Sequence, residues 1–240
     1  MSQINNVVAF SCSAKMGQAG VESQTDKFLY AFLDAFSPEK TRVFYPYKMN
    51  IAYCKACLDC WFKTPGVCAI NDDMTGINEA LREADLIVWA TPIYHMGLSA
   101  KMKTVLERTM CNFTIPIALD GEGQSRHEPR KMKKRQAILI STCSYPEPNT
   151  FNAVSAYFNA NCKNSYWENA GEILVNTCMP GVPPAYYETN MAAVKEAGAE
   201  LAKTGAIPAE LLKKIAAAQM PSAKYKETVN AIYKKVGITD

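Results

Sequence analysis

Five short β-prone runs, separated mostly by helical stretches, constrain this chain more than any other feature. Ile4 to Phe10 (INNVVAF) is apolar enough for a buried strand, and Thr41 to Tyr45 (TRVFY) reads as a strand at a sheet edge. Leu86 to Ala90 (LIVWA) is apolar on both faces, as a central parallel strand must be. Gln136 to Thr142 and Gly171 to Asn176 complete the set. Between them, a helix is predicted from Ser23, with Phe28, Leu29, Phe32, Leu33 and Phe36 on one face and a stop at Ser37-Pro38. Further helices are predicted over 72–84, 99–110 and 151–161. Strands alternating with helices give a parallel sheet covered on both faces, with right-handed crossovers. The spacing fits the strand order 2-1-3-4-5 of a doubly wound sheet, in which ligands bind beyond the carboxyl ends of the strands, where strand order reverses.

The loops after the first, third and fourth strands are therefore where a site is expected. The first runs from Ser11 to Thr25 without a G-x-G-x-x-G or Walker pattern. It is rich in hydroxyls and feeds a helix N-terminus, where backbone N–H groups can hold a phosphate. Ser11, Ser13, Ser23, Gln24 and Thr25 are its candidates; an ordinary N-cap at Ser23 or Thr25 is the plainer alternative. The second, Thr91-Pro92-Ile93-Tyr94-His95, can lay backbone and an aromatic ring against a flat ligand, with Ser99 capping the next helix. His95 has no carboxylate partner in sequence and reads as a solvated loop residue rather than a catalyst. The third, Thr142-Cys143-Ser144-Tyr145, can form an opposite wall.

Cys54, Cys57, Cys60 and Cys68 form a C-x2-C-x2-C-x7-C run followed by Asp72-Asp73-Met74. Four of the chain's nine cysteines lie here, while neither of its two histidines is near. An all-sulfur site suits iron–sulfur or zinc, and Cys54-x2-Cys57 also has the spacing of a dithiol redox pair. Cys111, Cys162 and Cys178 read as small buried apolar residues. No basic segment followed by an apolar stretch opens the chain, so no signal peptide is expected. The cysteines are then thiols or metal ligands in a reducing cytoplasm. No apolar run approaches the ~20 residues that span a bilayer, so no membrane is expected. A net charge of +3 is too small to point to nucleic acid.

On these residues the chain resembles the NAD(P)H-dependent FMN reductases of the flavodoxin-like fold, and especially their iron–sulfur flavoprotein branch. The likeness rests on the hydroxyl-rich first loop, the cysteine run with Trp61 and Asp72-Asp73-Met74, Thr91-Pro92-Ile93-Tyr94 with Lys103 and Arg108, and Ser141-Thr142-Cys143 with Pro146-Glu147, over residues 4 to about 180. It departs from that pattern in reading Ser11-Cys12-Ser13-Ala14-Lys15 where a Gly-Ser-Pro-Arg start is common, and in Ser144 where Gly is frequent. The resemblance implies a flavodoxin-like three-layer α/β sandwich. It implies FMN, with Ser11, Ser13 and Thr25 at the phosphate, Pro92, Ile93, Tyr94 and His95 along the isoalloxazine, and Thr142, Cys143, Ser144 and Tyr145 on its other side. It also implies a [4Fe-4S] cluster on Cys54, Cys57, Cys60 and Cys68, close to the flavin.

The function expected is an oxidoreductase moving electrons from NAD(P)H or reduced ferredoxin to a quinone, a flavin or another small acceptor. The alternatives are a non-enzymatic iron–sulfur flavoprotein carrier, and a cysteine-based sensor or zinc site on the same fold. The stretch from Arg126 to Arg135 holds six Lys or Arg against one Glu. It can dock an acidic partner or a 2′-phosphate, although a solvated loop is the plainer reading. Residues 1–183 are read as the flavin domain with its cysteine loop over 54–68. Residues 184–240 are read as a helical extension whose faces (Leu211, Leu212, Ile215 and Ala218; Val229, Ile232 and Tyr233) cover the domain or join protomers of a homo-oligomer.

Overall fold

A computed structural model describes residues 4–15, 23–131, 133–179, 183, 185–217 and 219–237. The strands are β1 (Asn6–Ser11), β2 (Lys40–Phe44), β3 (Leu86–Pro92), β4 (Phe113–Leu119), β5 (Ser125–Pro129), β6 (Arg135–Thr142) and β7 (Trp167–Val175). The helices are α1 (Gln24–Phe36), α2 (Asp59–Phe62), α3 (Met74–Glu83), α4 (Ala100–Glu107), α5 (Asn152–Asn164), α6 (Ala185–Thr204), α7 (Ala209–Ala216) and α8 (Ser222–Lys235). The large sheet runs β2-β1-β3-β6-β7 and every pairing in it is parallel. Counted along the chain, that is the predicted 2-1-3-4-5 order of a flavodoxin-like sandwich.

Alternation along the strands builds two cores. Val7, Ala9, Val88, Ile138 and Ile173 face α1, α6 and α7, while Val8, Phe10, Trp89 and Leu139 face α3, α4 and α5. Each fully buried Leu, Ile or Phe adds about 1.5–3 kcal/mol. The predicted apolar face of α1 is buried, Ser23 caps it by accepting from Asp26 N, and Ser37 ends it at φ 48°. The chain beyond β7 shares the first core: Val194, Ala197 and Leu201 of α6 and Leu211 and Ile215 of α7 pack into it. Gly198 lets α6 approach α1 so closely that a Cβ there would stand 2.4 Å from the Phe32 carbonyl oxygen. In α8, Val229 is buried and Tyr233 exposed; Ala218 lies outside the described residues.

One element differs from expectation. The segment before β6 is not a solvated loop throughout, because β4 and β5 pair as an antiparallel hairpin that includes Arg126 to Pro129. Pro116 interrupts β4, and β5 carries little apolar alternation, so the strand signal is weak. The turn is clear in retrospect: the Asp120 carboxylate accepts from Glu122 N and Gln124 N, and Gly123 adopts φ 76°.

Candidate functional site

β1, β3 and β6 are neighbours, so their carboxyl-end loops leave the sheet side by side. Short bonds knit them together. Cys12 N donates to Ala90 O (2.8 Å) and Ile93 N to Thr142 O (2.8 Å). Ala14 N donates to the Tyr94 hydroxyl (3.3 Å), and Thr25 and Thr142 share a hydroxyl–hydroxyl bond of 2.7 Å. Ser141 Oγ donates to Thr91 O, and Thr91 Oγ1 accepts from Ser99 N. The rim is thus a floor of buried hydroxyls: Ser11, Ser13, Ser23, Thr25, Thr91, Ser99, Ser141 and Thr142 are all buried.

Hydroxyl bookkeeping sorts the first-loop candidates. A hydroxyl has one proton to give. The Ser11 proton goes to the Asp26 carboxylate, so that group is used inside the protein. Among the described residues Ser23 Oγ only accepts, from Asp26 N, and keeps its proton. One of Thr25 and Thr142 keeps its proton too. Gln24 Oε1 is buried with no hydrogen-bond partner among the described residues. Asp26, which the sequence reading passed over, gains from the positive end of α1.

The second loop closes as a tight turn in which Tyr94 and Gly97 exchange backbone hydrogen bonds of 3.1 Å. His95 and Met96 both sit in the left-handed region (φ 47° and 63°), an arrangement that non-glycine residues adopt at a cost of roughly 1 kcal/mol or more each. It leaves Tyr94, His95 and Met96 exposed at the rim. Tyr47, also missed, approaches from the turn after β2: burial raises its phenol pKa, Tyr94 nearby adds to the rise, and a Ser99 hydrogen bond opposes it. In the third loop, burial pushes the Cys143 thiol up to about 12 against a hydrogen bond with Tyr145. Ser144 and Tyr145 are exposed, and the Tyr145 ring meets Tyr225 of α8 edge-on at 6.3 Å.

The cysteine loop forms a second site. Cys54, Cys57, Cys60 and Cys68 all line one cavity of about 480 Å³, and Cys111 lines it as well. Burial raises the Cys60 thiol, and Cys111, Cys68, Cys57 and Cys54 raise it further in that order. Cys111 is indeed buried, as predicted, yet it also belongs to this group of thiols. Trp61 closes one side, its ring 4.7 Å from that of His127 on β5. His127 Nδ1 is buried without a partner among the described residues. Among the described residues no three His, Cys, Asp or Glu side chains stand close enough to hold a single metal ion; the thiols ring open space instead. None of the cavity's lining residues belongs to the three carboxyl-edge loops.

A buried ion pair anchors the cysteine loop. Arg108 Nη1 and Nη2 donate to the Asp72 carboxylate at 2.7 and 2.9 Å, with the side chains 0% and 3% exposed. Arg108 also donates to Ala52 O and Ile70 O, and the Asp72 carboxylate accepts from Ala52 N and Met74 N. Burial pushes the Asp72 carboxyl up, but Arg108 and the two N–H groups outweigh it and hold the pKa below the ordinary value.

Comparison with known proteins agrees with this reading of the fold. An FMN-dependent NADH-azoreductase from Bacillus anthracis superposes with a TM-score of 0.63 at 15% identity, covering 83% of this chain and 100% of that one. An NAD(P)H:quinone oxidoreductase from Methanothermobacter marburgensis gives 0.61 at 15% identity over 83% and 96%. At that identity the likeness is one of fold. In sequence, an iron-sulfur flavoprotein of Archaeoglobus fulgidus is 35% identical over 61 residues, which is 25% of this chain and 27% of that protein. One from Methanosarcina thermophila is 38% identical over 61 residues, 25% and 31% of the two chains. The matched stretch thus spans less than a third of either relative. The family model described as NADPH-dependent FMN reductase matches residues 5–146, from β1 through the third rim loop. With four of the five sheet strands, the three rim loops and more than half of its length inside that match, this chain belongs to the NADPH-dependent FMN reductase family.

Proposed function

We propose that this protein is an FMN-dependent oxidoreductase that takes electrons from NAD(P)H or a reduced ferredoxin and delivers them to a quinone, a flavin or another small acceptor. The observation that carries it is the rim itself, where the second and third loops expose Tyr94 and Tyr145 over a floor of buried hydroxyls beside the N-terminus of α1. The donor set fits the cofactor: Ser13, Ser23, Gln24 and Thr25 with the first N–H groups of α1 would hold the phosphate, and Ser11 would steady that terminus through Asp26. Pro92, Ile93, Tyr94 and His95 would border one side of the ring system, and Thr142, Cys143, Ser144 and Tyr145 the other. FMN, when bound, supplies the redox chemistry, accepting a hydride and giving up electrons singly or in pairs. The chain's part is to bind, orient and exclude water, with loop N–H groups opposing charge that develops on the ring; no side chain is required as acid or base. Tight, near-equimolar FMN and rapid anaerobic bleaching by NADPH or NADH in stopped flow are the expected results. Protein that takes up no FMN when titrated would refute the reading.

The cysteine cavity favours a second element of function. Four thiols ringing one space, with Cys111 beside them, fit an iron–sulfur group in donor chemistry, and Cys54, Cys57, Cys60 and Cys68 would hold it. Such a group supplies one-electron transfer, the chemistry of a carrier fed by ferredoxin. Bleaching by reduced ferredoxin but not by NADPH would favour the carrier over the enzyme. Anaerobic protein with zinc and no iron would favour the structural site.

A further inference from the structure

We propose that Arg82, Arg130 and Arg135 form a binding site for a phosphate-class oxyanion at the amino edge of the sheet, opposite the rim. Arg135 and Trp167 open β6 and β7 and pair in register, and both line a small cavity of about 40 Å³. Arg82, from the last turn of α3, and Arg130 and Lys131, from the chain just after β5, complete its charged wall. Among the described residues no carboxylate lines it.

The three guanidiniums are held by neutral acceptors. Arg82 Nε donates to Asn112 Oδ1 (3.0 Å) and Nη2 to Gly66 O (2.5 Å). Arg130 Nε donates to Cys111 O (3.0 Å), and Arg135 Nη2 to Arg82 O (2.8 Å). Among the described residues none of the three pairs with a carboxylate, because the nearby Glu83 and Asp85 are taken by Lys131 (2.6 Å) and Lys133 (2.7 Å). Arg135 is only 6% exposed and its Nε has no partner among the described residues. Carbonyl oxygens satisfy donors but bring no net charge, so a buried guanidinium among like charges is left short of a counter-ion. Burial holds its pKa below the ordinary value, with Glu83 and Asp85 acting the other way.

Size and shape narrow the occupant. The cavity offers roughly three times the 10–15 Å³ that one water needs, which suits one tetrahedral oxyanion and excludes a base or a ring. Guanidinium forks match phosphate and sulfate oxygens better than a spherical halide. Arg130 and Lys131 are exposed at its mouth, so a phosphate group carried on a larger molecule has a way in. The site also abuts the cysteine cavity, sharing Thr109, Phe113 and Ser165 as a common wall.

Calorimetric titration of the full chain, apo and FMN-saturated, at constant ionic strength balanced with chloride, tests this. Inorganic phosphate and sulfate should bind saturably and acetate more weakly, and FMN should leave this site untouched while it blocks any binding at the first rim loop. Arg130→Gln, exposed and outside both cores, should weaken phosphate about tenfold or more without lowering the melting temperature, as loss of a charge-assisted bond requires. Arg135→Gln should do the same if it folds; Arg82→Gln is the second arm if it does not. Phenyl phosphate binding as well as phosphate assigns the site to phosphomonoesters, and its exclusion assigns it to the free anion. Absence of heat beyond the chloride control, or affinity unchanged in both Arg130→Gln and Arg82→Gln, overturns the proposal.

Discussion

Replacing Asp72 by Ala should remove the carboxylate that pairs with Arg108, and the consequence can be worked from the geometry. Both guanidinium bonds are short and both side chains are shielded from water, so the pair is truly buried rather than a surface bridge. Removing one partner of a buried pair costs about 3–5 kcal/mol, because the other charge is left in a medium that cannot solvate it. Ala52 N and Met74 N lose their acceptor as well. Against a total stability of about 5–15 kcal/mol this is a large fraction, and at roughly 2–4 °C per kcal/mol it lowers the melting temperature by about 6–20 °C. Urea unfolding followed by circular dichroism gives the free energy, and calorimetry the temperature. The double variant Asp72→Leu/Arg108→Met should recover much of the loss, with a coupling of about 2 kcal/mol or more, since an apolar pair of similar volume has no charge to desolvate. Acid titration gives an independent arm. The folded carboxyl has the lower pKa, so its contribution is fully present above the unfolded value of about 3.9 and is lost as pH falls through the folded one. Wild type and Asp72→Asn should therefore diverge in stability above about pH 5 and converge as pH falls through the lowered folded pKa. A loss under 1 kcal/mol for Asp72→Ala, or strict additivity in the cycle, would refute the reasoning.

Other consequences are equally accessible. Gly198→Ala should destabilise by about 1–3 kcal/mol, because the new methyl meets Phe32 backbone and α6 must move off α1; an unchanged urea midpoint would contradict that packing. Thr142→Val strands the Thr25 hydroxyl and should weaken FMN by about tenfold in a fluorescence titration, while an unaltered Kd would remove this pair from the site. Native alkylation at pH 8 read by mass spectrometry should label exposed Cys57 first and spare Cys143 and Cys162. Burial pushes both of those thiols up to about 12, so the reactive thiolate is about one part in ten thousand. Labelling of Cys162 at the rate of Cys57 would show that the second core is open.

What the chain declared by itself was its layering. Leu86 to Ala90 announced a central strand because residues on both its faces are apolar, and α1 announced its inner face because apolar residues recur there every third or fourth position. From that order the three rim loops followed, since adjacent parallel strands must release their chains at one edge. Hairpin β4–β5 escaped because Pro116 and a charged partner strand blur the period of two. Only the tertiary structure could join Thr25 to Thr142, Asp72 to Arg108, Cys111 to the four motif thiols, or Arg82 to Arg130 and Arg135. Periodicity reports which side of an element meets the core, but nothing in a local pattern records which distant side chain waits there; that is set by the path of the backbone, and it decides which buried charges find a partner and which are left facing a pocket.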